Sequence, residues 1–262
     1  MENEVELKNI VKEQYGKIAA DSEDSCCSSG CGCGSTNTFM DEDYNALNGY
    51  NPDADLGLGC GLPTNFAKIK KGDTVVDLGS GAGNDCFVAR AEAGENGRII
   101  GIDFTPEMIA KAKINAQKRG FTNIDFIQGD IENMPLESNF TNVIVSNCVL
   151  NLVPDKQSVF KEIYRVLKSN GHFSISDIVL TGQLPEKIKS AAEMYAACVS
   201  GAVEKEVYLK YIQEAGFKNI TIQKERSIIL PDEEAEKYLS KKEISSYKKN
   251  PVIKSITLYA EK

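Results

Sequence analysis

The chain has 262 residues, a formal net charge of −8 at pH 7, eight cysteines and a single histidine. That length holds one large α/β domain with appended segments, or two small domains, and the acidic balance argues against nucleic acid or an anionic membrane surface as partner. No apolar run reaches membrane-spanning length and residues 1–13 lack an apolar leader core, so a cytoplasmic protein with reduced thiols is expected.

In chain order, Val5, Ile10, Val11, Tyr15, Ile18 and Ala19 recur at helical spacing and predict an amphipathic helix over residues 1–20. Residues 21–38 are polar and rich in Gly, Ser and Cys, with Cys26, Cys27, Cys31 and Cys33 crowded together. Residues 39–72 form a linker with turn signals at Asn51-Pro52-Asp53 and Leu62-Pro63-Thr64. A regular alternation follows. Strands are predicted at Asp73–Leu78, Arg98–Asp103, Ile124–Gln128, Thr141–Ser146 and His172–Val179. Helices are predicted at Asn84–Ala93, Thr105–Arg119 and Pro154–Leu167, the second with Thr105 as N-cap, Pro106 at its first turn and Gly120 closing it. This alternation predicts an α/β fold with a doubly wound, mostly parallel sheet. Beyond it, Pro185–Val199 and Lys205–Ala215 read as helices, Lys218–Glu225 as a strand, and Lys254–Ala260 as an edge or final strand. The charged stretch Pro231–Asn250 reads as a solvated helix or loop. The expected organisation is an N-terminal helix, Cys-rich segment and linker over 1–65, a cofactor-binding core over 66–180, and a C-terminal substrate-binding α+β extension over 181–262.

The most informative motif is Asp77-Leu78-Gly79-Ser80-Gly81-Ala82-Gly83, a glycine loop between a strand and a helix. Such a loop brings backbone close to a ligand. Asp103 ends the second strand, where a carboxylate meets ribose hydroxyls. Asp130 and Ile131 follow the third strand, where a polar group meets an adenine amine. A dinucleotide site favours a glycine where this chain has Asn84, and Asp77 would repel a pyrophosphate. The same carboxylate suits the cationic amino-acid end of S-adenosylmethionine, which is therefore the expected cofactor. The candidate cofactor-binding residues are Asp77, Gly79, Gly81, Gly83, Asp103, Asp130, Ile131 and Asn147.

These stretches, with Gly101-Ile102-Asp103, Gly129-Asp130 and Arg165-Val166-Leu167-Lys168, resemble the class I S-adenosylmethionine-dependent methyltransferases. More narrowly, the chain resembles the arsenite methyltransferases through Val11–Ala19, Leu58-Gly59-Cys60-Gly61-Leu62-Pro63, Gly83-Asn84-Asp85-Cys86-Phe87, Ser146–Leu152 and Cys198-Val199-Ser200-Gly201-Ala202. The resemblance implies that Cys60, Cys148 and Cys198 bind trivalent arsenic and are the catalytic thiols. It implies an upstream cysteine from the N-terminal cluster, without saying which, and a thiol reductant such as glutathione or thioredoxin. Ala197 stands where some relatives carry an acidic residue. For Cys86, packing is the first reading and a redox role the second.

The chemistry is compatible. Trivalent arsenic carries a lone pair, so it is its own nucleophile and needs no general base; catalysis is then largely positioning. His172, the lone histidine, reads as structural. Asn147 and Asn151 flank Cys148 and are candidates for the cofactor pocket, although Asn is also a turn former. Asp177 is read equally as a site or a surface residue. The expected partner is a small molecule, arsenite or its thiol conjugates, with thioredoxin as a possible protein partner, no nucleic acid, no membrane and a monomeric state. Two other readings stay open: a methyltransferase of the same fold acting on another small molecule, such as a quinone precursor, and a thiol-based metalloid-sequestering protein.

Overall fold

Seven strands form a single sheet in the order β3-β2-β1-β4-β5-β7-β6. They are β1 (Thr74–Leu78), β2 (Arg98–Asp103), β3 (Ile124–Gln128), β4 (Thr141–Asn147), β5 (Leu167–Leu180), β6 (Lys218–Ser227) and β7 (Ile253–Glu261). The first five run parallel, and β7 runs antiparallel between β5 and β6. The computed structural model describes residues 2–21, 40, 42–189 and 198–262. The cysteines at 26, 27, 31 and 33 therefore lie outside the described residues, as does most of the helix expected over Pro185–Val199.

Helices cross over between the parallel strands: α2 (Asn84–Ala93), α3 (Pro106–Lys118) and α4 (Lys156–Val166). α1 (Glu2–Asp21) precedes the sheet, and α5 (Glu186–Lys189), α6 (Lys205–Glu214), α7 (Asp232–Glu236) and α8 (Lys241–Lys249) follow β5. Successive strand residues point to opposite faces, and both faces of β1 are filled. Val76 and Leu78 join a core with Phe160, Phe173 and Tyr208, while Val75 joins Phe87, Ile109 and Phe126. Helix α3 starts where expected, with Thr105 at its N-cap and Pro106 in its first turn. The Thr105 side chain makes no capping bond; its backbone N–H instead donates to Asp103 Oδ1 at 2.8 Å.

The strand expected over Lys254–Ala260 as an edge or final strand is the final one, but it is not an edge. β7 is an inner strand, and β6 is the edge. The polar residues that suggested an edge face inward: the Ser255 and Thr257 hydroxyls bond the Cys60 carbonyl and Ser176, respectively. Alternation here separates two buried surfaces instead of core from water. β7 also pairs with β5 from His172 to Leu180, so the sheet runs across the expected boundary at residue 180. Among the described residues, no helix is long and apolar enough to cross a membrane.

Candidate active site

Strand order reverses between β1 and β4, and in open α/β sheets ligands sit beyond the carboxyl ends of the strands at such a point. A cleft lies there. The loops after β1, β2, β3 and β4 all reach it, and α1 closes part of it through Lys8, Val11 and Tyr15. Asp77, Gly79, Gly81, Asp103, Asp130, Ile131 and Asn147 all line the cleft. Gly83 does not. It adopts φ 98° at the start of α2, and a side chain there would strike Phe126. Its glycine serves helix packing.

Asp103 ties the glycine loop down: its Oδ2 accepts the Gly81 N–H at 2.9 Å. Burial raises its pKa, against the bonds from Thr105 and Gly81. Two of the residues lining the cleft are the carboxylates Asp77 and Asp85. Burial, and then the Asp85 charge, hold Asp77 well above the usual carboxylate range. Tyr44 donates to Asp85 Oδ2 at 2.9 Å, and the Cys86 thiol donates to Asp77 Oδ2 at 3.2 Å. The Cys86 thiol is itself pushed well up by burial, so it is a buried donor supporting Asp77. Tyr44 and Asp85 escaped sequence reading; the tyrosine comes from the linker, and a hydrogen-bond partner 41 residues away leaves no local pattern. Lys8 escaped as well. Its ammonium lies 2.7 Å from Asp130 Oδ2 and also pairs with Glu132.

The three thiols converge beside this cleft. Cys148 follows β4 directly, lines the cleft and has φ 60°. A non-glycine residue rarely adopts that left-handed conformation. Its N–H is held by the Ser176 carbonyl at 2.8 Å. Cys198 also has positive φ, 62°, and its thiol donates to the Cys148 carbonyl at 2.7 Å. Cys60 Sγ, Cys148 Sγ and a carboxylate oxygen of Asp177 lie within 4.8 Å of one another. All four residues are buried. The Cys148 thiol is hydrogen-bonded with those of Cys198 and Cys60, and these bonds, with burial, hold its pKa well above normal. Burial, then the Asp177 charge, raises Cys60, although its bond to Cys148 lowers it.

Asp177 is thus a fully buried neighbour of two thiols, which removes its surface reading. Burial raises its pKa to about 7. Asn151 donates to it at 2.9 Å and Tyr208 at 3.0 Å. Asn151 therefore serves Asp177 and is absent from the cleft lining, whereas Asn147 is present. His172 bonds the Ala67 carbonyl at 2.6 Å, and burial lowers its pKa; it lies outside the cleft.

A seven-stranded sheet with this glycine loop and cleft defines a class, and residues 69–216 match the family described as methyltransferase domain; the chain belongs to that family. Within it, the chain is similar to the arsenite methyltransferase of Halobacterium salinarum, with 41% identity over 231 residues, 83% of this chain and 59% of that protein. The human arsenite methyltransferase is 37% identical over 168 residues, 61% of this chain and 44% of that protein. The chain thus spans less than two thirds of these curated relatives. Among solved structures, an arsenic(III) S-adenosylmethionine methyltransferase from Chlamydomonas reinhardtii superposes with a TM-score of 0.65 at 32% identity, covering 77% of this chain and 66% of that one.

Proposed function

We propose that the protein transfers the methyl group of S-adenosylmethionine to trivalent arsenic held by Cys60, Cys148 and Cys198. The observation that carries this reading is the convergence of three buried thiols, from segments far apart in sequence, around Cys148, which lines the cleft.

The cleft residues fit the methyl donor. Asp77 and Asp85 are two buried carboxylates in its lining, a costly pairing unless a cation joins them. The ammonium and sulfonium groups of S-adenosylmethionine are such cations. Asp103 suits the ribose, and Asp130 with Ile131 suits the adenine. When bound, the cofactor supplies an electrophilic methyl group, which the arsenic lone pair takes as the carbon–sulfur bond breaks to leave a neutral thioether.

The chain's residues have three tasks. The thiols grip arsenic: with each As–S bond formed from arsenous acid, a thiol proton and an arsenic hydroxyl leave as water, so the raised pKa values of Cys60 and Cys148 are no obstacle. Cys148 sets arsenic at the cleft wall, and near-attack placement of about 3–3.5 Å supplies much of the rate. Tyr15 and Val11 of α1, with Leu152, exclude water from the transfer path. Methylation raises arsenic from the trivalent to the pentavalent state, and two electrons from a thiol reductant such as glutathione or thioredoxin restore it. Residues 66–180 then serve as the cofactor-binding core, and 181–262 as the extension that brings Cys198, in a monomeric cytoplasmic enzyme.

The test is incubation of the purified protein with arsenite, S-adenosylmethionine and glutathione, with methylated arsenicals separated by chromatography. Methylated product is expected from the parent and a loss of about 100-fold or more from Cys60→Ser, Cys148→Ser and Cys198→Ser. Unchanged turnover in all three variants would falsify the thiol assignment.

A further inference from the structure

The arsenic reading uses three thiols and gives Asp177 nothing to do. Yet its carboxylate stands within 4.8 Å of two of the sulfurs, fully buried. We propose that Cys60, Cys148 and Asp177, completed by Cys198, form a site for a soft divalent cation such as Cd²⁺ or Zn²⁺, with Asp177 as the donor that separates such a cation from a trivalent metalloid.

The donor numbers carry the distinction. Trivalent arsenic is pyramidal, with three bonds and a lone pair, so three thiolates complete it. A zinc-like cation takes four donors in a tetrahedron, commonly sulfur with oxygen or nitrogen. Three cysteines and one aspartate are such a set. Asp177 is held as ligating carboxylates are, by neighbours outside the ligand set. Its Oδ1 accepts from Asn151 Nδ2 and from the Ile178 N–H, both at 2.9 Å. Its Oδ2 accepts from Tyr208 at 3.0 Å, and a carboxylate oxygen has a second lone pair to give.

Charge and access also agree. Three thiolates and a carboxylate around a divalent ion leave two net negative charges, and each thiol that becomes a ligand gives up its proton to solvent. Lys156, 7% exposed, is near enough to Asp177 and Cys198 to act on their charges and offsets part of the cluster's negative charge, whereas Arg226 donates to the Cys60 carbonyl and is already paired with Glu42. Cys148 opens the path from the cleft. A bound cation therefore occupies the thiols that arsenic would need. The inference stands whether or not the chain methylates arsenic, because it is read with the metal alone and no methyl donor.

The experiment uses the full chain with Cys26, Cys27, Cys31 and Cys33 replaced by serine, kept reduced by a phosphine and titrated with Cd²⁺ while sulfur-to-metal charge-transfer absorbance is followed. One Cd²⁺ per chain is expected. Asp177→Asn should weaken Cd²⁺ binding roughly tenfold or more while arsenite affinity moves by less than about threefold, and Cys148→Ser should lose both. Equal Cd²⁺ affinity in Asp177→Asn and its parent overturns the proposal, as does undiminished Cd²⁺ binding in Cys148→Ser. If Asp177→Asn does not fold, the ¹¹³Cd resonance of the parent decides. A position shifted from all-sulfur coordination toward oxygen donors is expected, and an all-sulfur position overturns the assignment.

Discussion

The Asn147 side-chain oxygen accepts the Cys60 backbone N–H at 3.0 Å. Its amide nitrogen donates to the Gly61 carbonyl at 2.8 Å, so Asn147 clamps the chain on both sides of Cys60. The same side chain lines the cleft. One residue thus sets the position of a thiol relative to the proposed methyl donor, and the Cys60 loop has little freedom of its own.

Asn147→Ala is expected to leave the protein folded while freeing that loop. The Cys60 N–H loses its partner, costing about 1–3 kcal/mol if it stays buried, while the Gly61 carbonyl keeps the Tyr44 hydroxyl at 3.3 Å. A thiol misplaced by about 1 Å costs on the order of 100-fold in transfer rate. Turnover should therefore fall by more than the melting temperature suggests. A variant with parental turnover would show that the clamp does not position Cys60.

The clamp requires glycine beside it. A Cβ on Gly61 would lie 2.5 Å from Ser176 Oγ, a buried hydroxyl already bonded to Thr257. Gly61→Ala should destabilise the protein by about 1–3 kcal/mol through overpacking and weaken arsenite binding with it, measurable by denaturant unfolding and equilibrium dialysis. Gly61→Ala combined with Ser176→Gly removes the clash and should recover part of both.

Gly16 is a contrasting case. It lies inside α1, and among the described residues a Cβ there would meet only the Glu107 carboxyl group, with Oε2 at 3.5 Å, an ordinary contact. Alanine in place of a mid-helix glycine is worth about 0.5–1 kcal/mol. Gly16→Ala should raise the melting temperature; a fall would mean that α1 packs more closely on α3 than its contacts indicate.

Asp177 gives a pH dependence with a definite sign. Its pKa rises on folding from an ordinary 3.8 to about 7 because burial penalises the charged form. Its contribution to stability is complete below the unfolded value and is lost as pH rises through the folded one. Between about pH 5.5 and about pH 8 the wild type should lose roughly 2 kcal/mol that Asp177→Asn does not. Urea midpoints of the two proteins at both pH values test this, and parallel midpoints would remove Asp177 as the titrating group.

The sequence was informative where chemistry is local. The glycine loop and the acid ending β2 were readable because the backbone conformation or ligand contact each supports spans only a few residues, whereas the cysteine blocks stood out through their resemblance to the arsenite methyltransferases. Strand and helix periods were legible for the same reason as the glycine loop, β7 included, although its buried polar side chains mimic a solvated face and so suggested an edge position that the inner strand does not have. The length and charge of the chain, its strand–helix alternation and its three singled-out cysteines were thus determined by sequence alone.

Which groups meet was decided by tertiary structure. Asn147 reaches Cys60 across 87 positions, and Ser255 reaches the Cys60 carbonyl across 195. Tyr44 joins Asp85, Lys8 joins Asp130, and Asp177 turns from an ambiguous strand residue into a buried neighbour of two thiols. No sequence period encodes such pairs. They exist because the parallel sheet gathers strand ends from distant parts of the chain at one edge, where a buried polar group must find its partner or destabilise the fold.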